Sequence, residues 1–412
     1  MFFVLFYGDI YDTIITNRKM EDNERMKKLF GLVTLMMVAF VLVACETATT
    51  AATTTTEAPK VWSIAMLTDV GQITDRSFNQ GTWEGVAAFA EANDIQHMYF
   101  RPNEGTQAAY EEAIDMVIAN GANVVVTPGF LFETSIYTRQ TMYPDVYFIL
   151  IDGTPHTPDY QTFFTADNTV CILFQEEQSG FLAGYAAVAD GFTNLGFTGG
   201  MEVPAVQRFG IGYIAGAFYA AEVLEKTITF DASRYVYFGD FDNKNEHTVE
   251  ATSWYNAGVE IIFAAAGGAG NAVMKAAEDV NLVTADSATV IGVDVDQSNQ
   301  SDTVISSAMK QLAVAVQQEL TALILDDDFS AGDVLIKGAL EDAVGLPLGD
   351  SFKFTTFTEA QYTTLLNLVK AGTIVVPATE EALITFLADE CGNPTLTALV
   401  AKTMTGWPVV PA

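Results

Sequence analysis

Short, almost continuously apolar runs alternate along this chain with segments whose apolar residues fall at helical spacing. Residues 61–67, 98–100, 122–126 and 146–151 are runs of the first kind. Between them, residues 77–92 place Trp83, Val86, Ala87, Phe89 and Ala90 at helical spacing, and helices follow over 107–119 and near Glu133. Runs without polar alternation are expected of parallel strands covered on both faces, and strand–helix alternation builds right-handed βαβ units. The rhythm continues with a helix over 174–189, a strand over 195–198 and a long helix from Ala205. Strands follow over 235–238, 259–264 and 289–293, with a helix between each. A strong helix over 310–325 ends at Asp326-Asp327-Asp328, and residues 352–357 and a helical region close the chain. So many units predict an α/β protein of two lobes, each a parallel sheet flanked by helices, rather than one very wide sheet. The expected division is 60–165 with about 305–330 in the N-terminal lobe, and about 166–304 with 331–412 in the C-terminal lobe.

The N-terminal segment follows a different pattern. Lys27 and Lys28 precede an uncharged apolar run, 29–44, that ends in Leu42-Val43-Ala44-Cys45. A basic start, an apolar stretch of this length and a small residue before cysteine make a signal sequence. The last four residues look like a bacterial lipobox, in which the Cys45 thiol takes a diacylglycerol. A transmembrane helix that stays in place is the competing reading. Residues 46–59 are Thr/Ala-rich without a large apolar side chain, so they read as a tether. Residues 1–25 stand upstream of a complete signal sequence, and codons for Met20-Glu21-Asp22 are compatible with a ribosome-binding sequence; translation is expected to begin at Met26. The protein is thus expected on the extracytoplasmic face of the cell membrane, held there by lipid.

The formal net charge is −33. The first 44 residues carry five acids and five bases, so the whole surplus belongs to the remainder. Such a surface repels nucleic acid and anionic headgroups, which argues against a DNA-binding role. Cys171, in the run Val170-Cys171-Ile172-Leu173, reads as a buried hydrophobe. With Cys391 the only other cysteine beyond Cys45, no disulfide framework is expected. His97, His156 and His247 are scattered, and no metal site is expected.

In open parallel sheets ligands bind at the carboxyl ends of the strands. The first strand end reads Thr68-Asp69-Val70-Gly71-Gln72-Ile73-Thr74-Asp75-Arg76-Ser77-Phe78-Asn79-Gln80. Gly71 permits a turn, and Asp75 or Ser77 can cap the next helix. Asp69, Phe78 and Asn79 are left over, as ligand contacts or as core and helix-end residues. Asp152 and Asp294 each end a strand, and either binds hydroxyl and N–H donors or caps the next element. Phe263 is the aromatic of a strand that runs into Gly267-Gly268-Ala269-Gly270, where backbone can approach a ligand closely. That loop has neither a phosphate-loop nor a full dinucleotide pattern, so no cofactor is expected.

Taken with Phe174-Gln175-Glu176-Glu177-Gln178-Ser179-Gly180-Phe181-Leu182-Ala183-Gly184, with residues 196–210 and with Gly292-Val293-Asp294-Val295-Asp296-Gln297, the first strand end and the Ala264–Gly268 loop carry a resemblance. From about residue 60 onward the chain resembles the basic membrane protein family of substrate-binding lipoproteins, which includes purine nucleoside-binding lipoproteins. The strong acidity departs from the family's name. The resemblance implies a type I periplasmic-binding-protein fold with hinge crossings, a nucleoside in the cleft, and ABC permease and ATPase subunits as partners of a monomer. On matching positions, Phe78 and Phe263 stack the base, with Phe209 the rival second ring. Asp69, Asn79 and Asp152 read the base edge. Asp294, Lys310 and the backbone of Gly267 and Gly268 hold the ribose, with Asp296 the rival carboxylate. A flat base suits two aromatics, and the candidate strand ends offer no arginine for phosphate beyond Arg76. A surface receptor passing its ligand state to a signalling partner is the alternative. A nucleoside-cleaving enzyme lacks any visible catalytic arrangement, and a transcription regulator of this fold is excluded by the signal sequence, the acidity and the want of a helix-turn-helix.

Overall fold

The computed structural model describes residues 60–392 and 396–403. The upstream 1–25, the signal sequence, Cys45 and the 45–59 tether lie outside the described residues.

The first half winds β1 (Ser63–Leu67), α1 (Phe78–Ala92), β2 (Gln96–Phe100), α2 (Gln107–Ala119), β3 (Val124–Pro128), α3 (Glu133–Met142), β4 (Tyr147–Ile151) and β5 (Thr169–Phe174). Then follow α4 (Glu176–Asp190), β6 (Leu195–Gly199), α5 (Pro204–Val223), β7 (Tyr235–Tyr237), α6 (Asn245–Asn256), β8 (Ile261–Ala265), α7 (Gly270–Asn281), β9 (Thr289–Asp294) and β10 (Val304–Lys310). The chain ends with α8 (Leu312–Ile324), β11 (Val334–Lys337), β12 (Val344–Gly345), α9 (Glu359–Lys370), α10 (Glu380–Asp389) and α11 (Thr397–Val400).

Two six-stranded sheets result, in the orders β11-β5-β4-β3-β1-β2 and β12-β10-β9-β8-β6-β7. All pairings are parallel except β10 with β12. β1, β3 and β8 are buried at every position, which is why they read as unbroken apolar runs. This is the two-lobed type I periplasmic-binding-protein architecture expected.

The crossings between lobes differ from the expected ones. Residues 169–174 pair with β4 and belong to the first lobe, although 166–304 was assigned to the second. Val304–Lys310 pairs with β9 in the second sheet, although about 305–330 was assigned to the first. Val334–Lys337 returns to the edge of the first sheet beside β5, although 331–412 was assigned to the second. The chain therefore crosses at Gln175, at Gln311 and between β11 and β12. β10 escapes sequence reading because it buries Ser306 and Ser307 at its centre, which breaks the apolar run. Lys310 accordingly ends a strand instead of opening a helix. Residues 352–357 form no strand; the amides of Thr355, Thr356 and Phe357 bind the Asp190 carboxylate. Cys171 is buried, as expected. Among the described residues no helix is long and apolar enough to cross a membrane.

Candidate ligand-binding site

Between the carboxyl ends of the two sheets lies a cavity of about 690 Å³, its open mouth included. Lys310 lines it. Its Nζ donates to Asp152 Oδ2 at 2.5 Å and lies 3.3 Å from Asp294 Oδ1 and 3.6 Å from Glu176 Oε1. Asp152 follows β4 in the first lobe and Asp294 ends β9 in the second, so one ammonium joins both lobes. Each aspartate has a left-handed backbone, φ 56° and 66°, and neither caps a following helix. Aspartate is among the few non-glycine residues that accept that conformation. Burial alone would lower the Lys310 pKa, but Asp152, Asp294 and Glu176 outweigh it and hold the amine charged. Burial raises Asp152 to about 7, against the pull of Lys310.

Of the three rings near the same ammonium, Phe174 at 5.8 Å does not line the cavity and two do. Nζ lies 4.5 Å from the Phe78 centroid and 5.5 Å from that of Phe209. Phe78 begins α1; Phe209 projects from the second turn of α5. Phe263, the expected second ring, does not line the cavity. It is fully buried behind Phe209, which it meets edge-on at 5.8 Å, and packs on Phe197 and Tyr213. A strand residue one pleat from the end points into the core, whereas the first turns of a helix at the sheet's end face the ligand.

The first-lobe wall is a network of acids and amides. Asp69 accepts from the Gly71 N–H at 2.7 Å and from Asn79 Nδ2 at 3.0 Å. Asp75 caps α1 by accepting from the N–H groups of Ser77, Asn79 and Gln80. Ser77 does not cap; its hydroxyl crosses the cleft to Asp294 Oδ2 at 2.6 Å. Burial raises Asp69 to about 6, with the Gly71 and Asn79 hydrogen bonds opposing. Asn79 Oδ1 and Asp152 Oδ1 are buried without a partner among the described residues, and both residues line the cavity. Unpartnered buried acceptors ask for donors.

The second-lobe wall is Val203, Pro204, Ala205, Val206, Phe209 and the backbone of Gly267 and Gly268. Asp296 is exposed and turned to the Ser298 amide, so Asp294 is the carboxylate of the cavity. Phe241 also lines the cavity and escaped the sequence reading. It lies four residues past β7, and following that strand's carboxyl end as the others were followed would have found it. Beyond the cavity, the Arg76 carbonyl accepts from Gln297 Nε2 at 2.8 Å and Gln300 Nε2 at 2.9 Å, clasping the lobes together.

His247, Asp240 and Glu246 come within ligating distance of one another, although sequence gave no metal pattern. Lys244 Nζ already occupies Asp240 Oδ2 at 2.6 Å, and the group sits at the positive N-terminal end of α6, which opposes a cation.

The cavity thus sets four lining carboxylates, Asp69, Asp75, Asp152 and Asp294, against one lining cation, Lys310. It offers acceptors to a neutral, donor-rich molecule with a flat face, and opposes an anion. The CD4+ T-cell-stimulating antigen of Listeria monocytogenes is 29% identical over 70% of this chain and 80% of its own length. The ABC transporter nucleoside-binding protein BmpA of Lactococcus lactis is 26% identical over 70% of this chain and 82% of its own. A solved ABC transporter solute-binding protein from Aeropyrum pernix shares the fold with a TM-score of 0.65 at 21% identity, covering 83% of this chain and 99% of that one. Residues 62–380 match the Bmp family model, described as ABC transporter substrate-binding protein PnrA-like. The chain belongs to the Bmp family: it is a small-molecule-binding component of an ABC transporter, working with permease and ATPase subunits, and not an enzyme.

Proposed function

We propose that this protein is a lipid-anchored extracytoplasmic receptor that captures a purine nucleoside as a monomer and hands it to its permease. The observation that carries the ligand class is the flanking of Lys310 by Phe78 and Phe209, beside the unpartnered acceptors of Asn79 and Asp152. A base slots between rings, with stacking of about 1–3 kcal/mol per base. Its N–H groups meet Asp69, Asn79 and Asp152, and the ribose diol meets Asp294, Lys310 and the Gly267–Gly268 backbone. The surplus of carboxylates disfavours a 5′-phosphate.

Calorimetric titration of residues 60–412 with inosine, guanosine, adenosine, uridine and AMP tests this. Purine nucleosides should bind and AMP should bind poorly. Binding of some other solute and of no nucleoside would end the nucleoside reading and leave the family untouched. For the anchor, mass spectrometry of the native protein should find an acylated Cys45 at the mature N-terminus. A wild-type protein released by cleavage elsewhere would overturn it.

A further inference from the structure

Glu176 and Glu177, at the start of α4, and Arg208, in α5, do not line the cavity. Their helices nevertheless pack so closely that the glycines between them are required. A Cβ on Gly180 would meet the Phe209 carbonyl oxygen at 2.2 Å, and one on Gly212 the Glu177 carbonyl oxygen at 1.9 Å. This approach brings Arg208 Nε to 2.6 Å from Glu176 Oε2 and 3.9 Å from Glu177 Oε2. Glu176 is completely buried, and its other oxygen makes no hydrogen bond but faces Lys310 at 3.6 Å.

We propose that Arg208 is a positioning residue for ligand binding, which neutralises Glu176 so that Lys310 stays between Asp152 and Asp294. Glu176 is as buried as any of Lys310's three carboxylates, yet it is the farthest from the ammonium. The reason is that its charge is already matched by the guanidinium. Without Arg208, Glu176 is a lone buried anion with one cation in reach, and the attraction draws Lys310 toward the inter-lobe crossing and away from the cleft. The groups facing Glu176 are Arg208 from α5, Lys310 from β10, Asp152 from beyond β4 and its neighbour Glu177; Asp294 lies beyond the ammonium. Glu177 stands farther from the guanidinium, 3.9 Å against 2.6 Å, and burial raises its pKa to about 8 against the pull of Arg208, which leaves the guanidinium to Glu176.

The nucleoside reading enters only through the probe. Titrations use the purified full chain in detergent with the nucleoside that wild type binds best. R208Q should lose affinity by about tenfold or more, R208K should stay within about threefold, and E176Q/R208Q should regain most of the loss. The R208Q affinity should also recover relative to wild type as pH falls from about 8 to about 5.5, because protonating Glu176 removes the stray charge. Wild-type affinity in R208Q, or a double variant as weak as R208Q, overturns the proposal. Should R208Q fail to fold, E176Q and E176Q/R208Q must bind alike, and a difference between them overturns it. Should wild type bind no nucleoside, the ¹⁵N resonance of the Lys310 ammonium, assigned with Lys310→Arg, serves without any ligand. It must move in R208Q and return in the double variant; an unmoved signal overturns the proposal.

Discussion

The two walls of the cleft are built from the same strand–helix unit and present a ligand with different chemistry. The first lobe offers Asp69, Asp75, Asn79 and Asp152, most of them already hydrogen-bonded to the loop that carries them. The second offers aliphatic side chains, Phe209, bare glycine backbone and a single carboxylate, Asp294. Polar groups fixed by their own loop keep their orientation before a ligand arrives, so the first lobe can discriminate among donors. A wall of small and apolar residues supplies shape and desolvation instead. Lys310 belongs to neither wall alone: it grows from a second-lobe strand and ties an aspartate of each.

That contrast can be broken at its centre. Lys310→Met should strip the buried Asp152 and Asp294 of their cation, costing about 3–5 kcal/mol of stability and abolishing ligand binding. Denaturant melts and calorimetry together check it, and a stable, binding-competent variant would refute the bridging role. Phe263→Ala should likewise cost about 3–5 kcal/mol, but in folding rather than recognition, because the ring is core behind the second wall. A variant with wild-type melting and lost binding would return Phe263 to the cavity.

Asp294→Ala should weaken nucleoside binding by about 2–4 kcal/mol, since it removes the second lobe's one lining carboxylate and Ser77's cross-cleft partner. A loss under about 0.5 kcal/mol, within the reach of an ordinary surface change, would mean the first lobe holds the sugar alone. Phe78→Ala should cost about 1–3 kcal/mol of binding through lost stacking, with melting of the free protein little changed.

The most gradual effect is on pH. Asp69 has a folded pKa of about 6 against an ordinary 3.8. Between those values the folded state keeps a proton that the unfolded state has released. Its contribution to stability is therefore complete below 3.8 and is lost as pH rises through about 6. Asp69→Asn should flatten that decline by no more than about 3 kcal/mol, read from melts of the free protein across this range. An unchanged slope would show Asp69 to be better solvated than its burial implies, and the first wall less rigid than described.

Much of the site was legible because strand ends in a parallel sheet converge. Asp69, Asp152 and Asp294 could be picked from residues that follow apolar runs, and all three line the cavity. Phe78 and Asn79 followed from helix-start position. Phe209 stood only as a rival to Phe263, because pattern does not tell how deep a strand's last aromatic lies: Phe263 shares a face with the cavity-lining Ala265 but sits two residues short of the strand's end. Glu176 and Arg208 belong to quoted motifs but carried no assigned role, since they lie 32 residues apart in sequence and meet only where two helices touch.

By itself the sequence determined the alternation of strands and helices and the two-lobed α/β class, because burial on both faces of a parallel strand leaves an unmistakable apolar run; the family followed from the resemblance of its strand-end motifs. Tertiary structure alone decided where the chain crosses between lobes, that Lys310 ends a strand, and which carboxylates share its charge. Those depend on hydrogen-bond pairing and Coulomb contact between residues far apart in the chain, such as Asp152 and Lys310, separated by 158 positions. Local pattern encodes which side of an element is buried; it does not encode which element lies across from it.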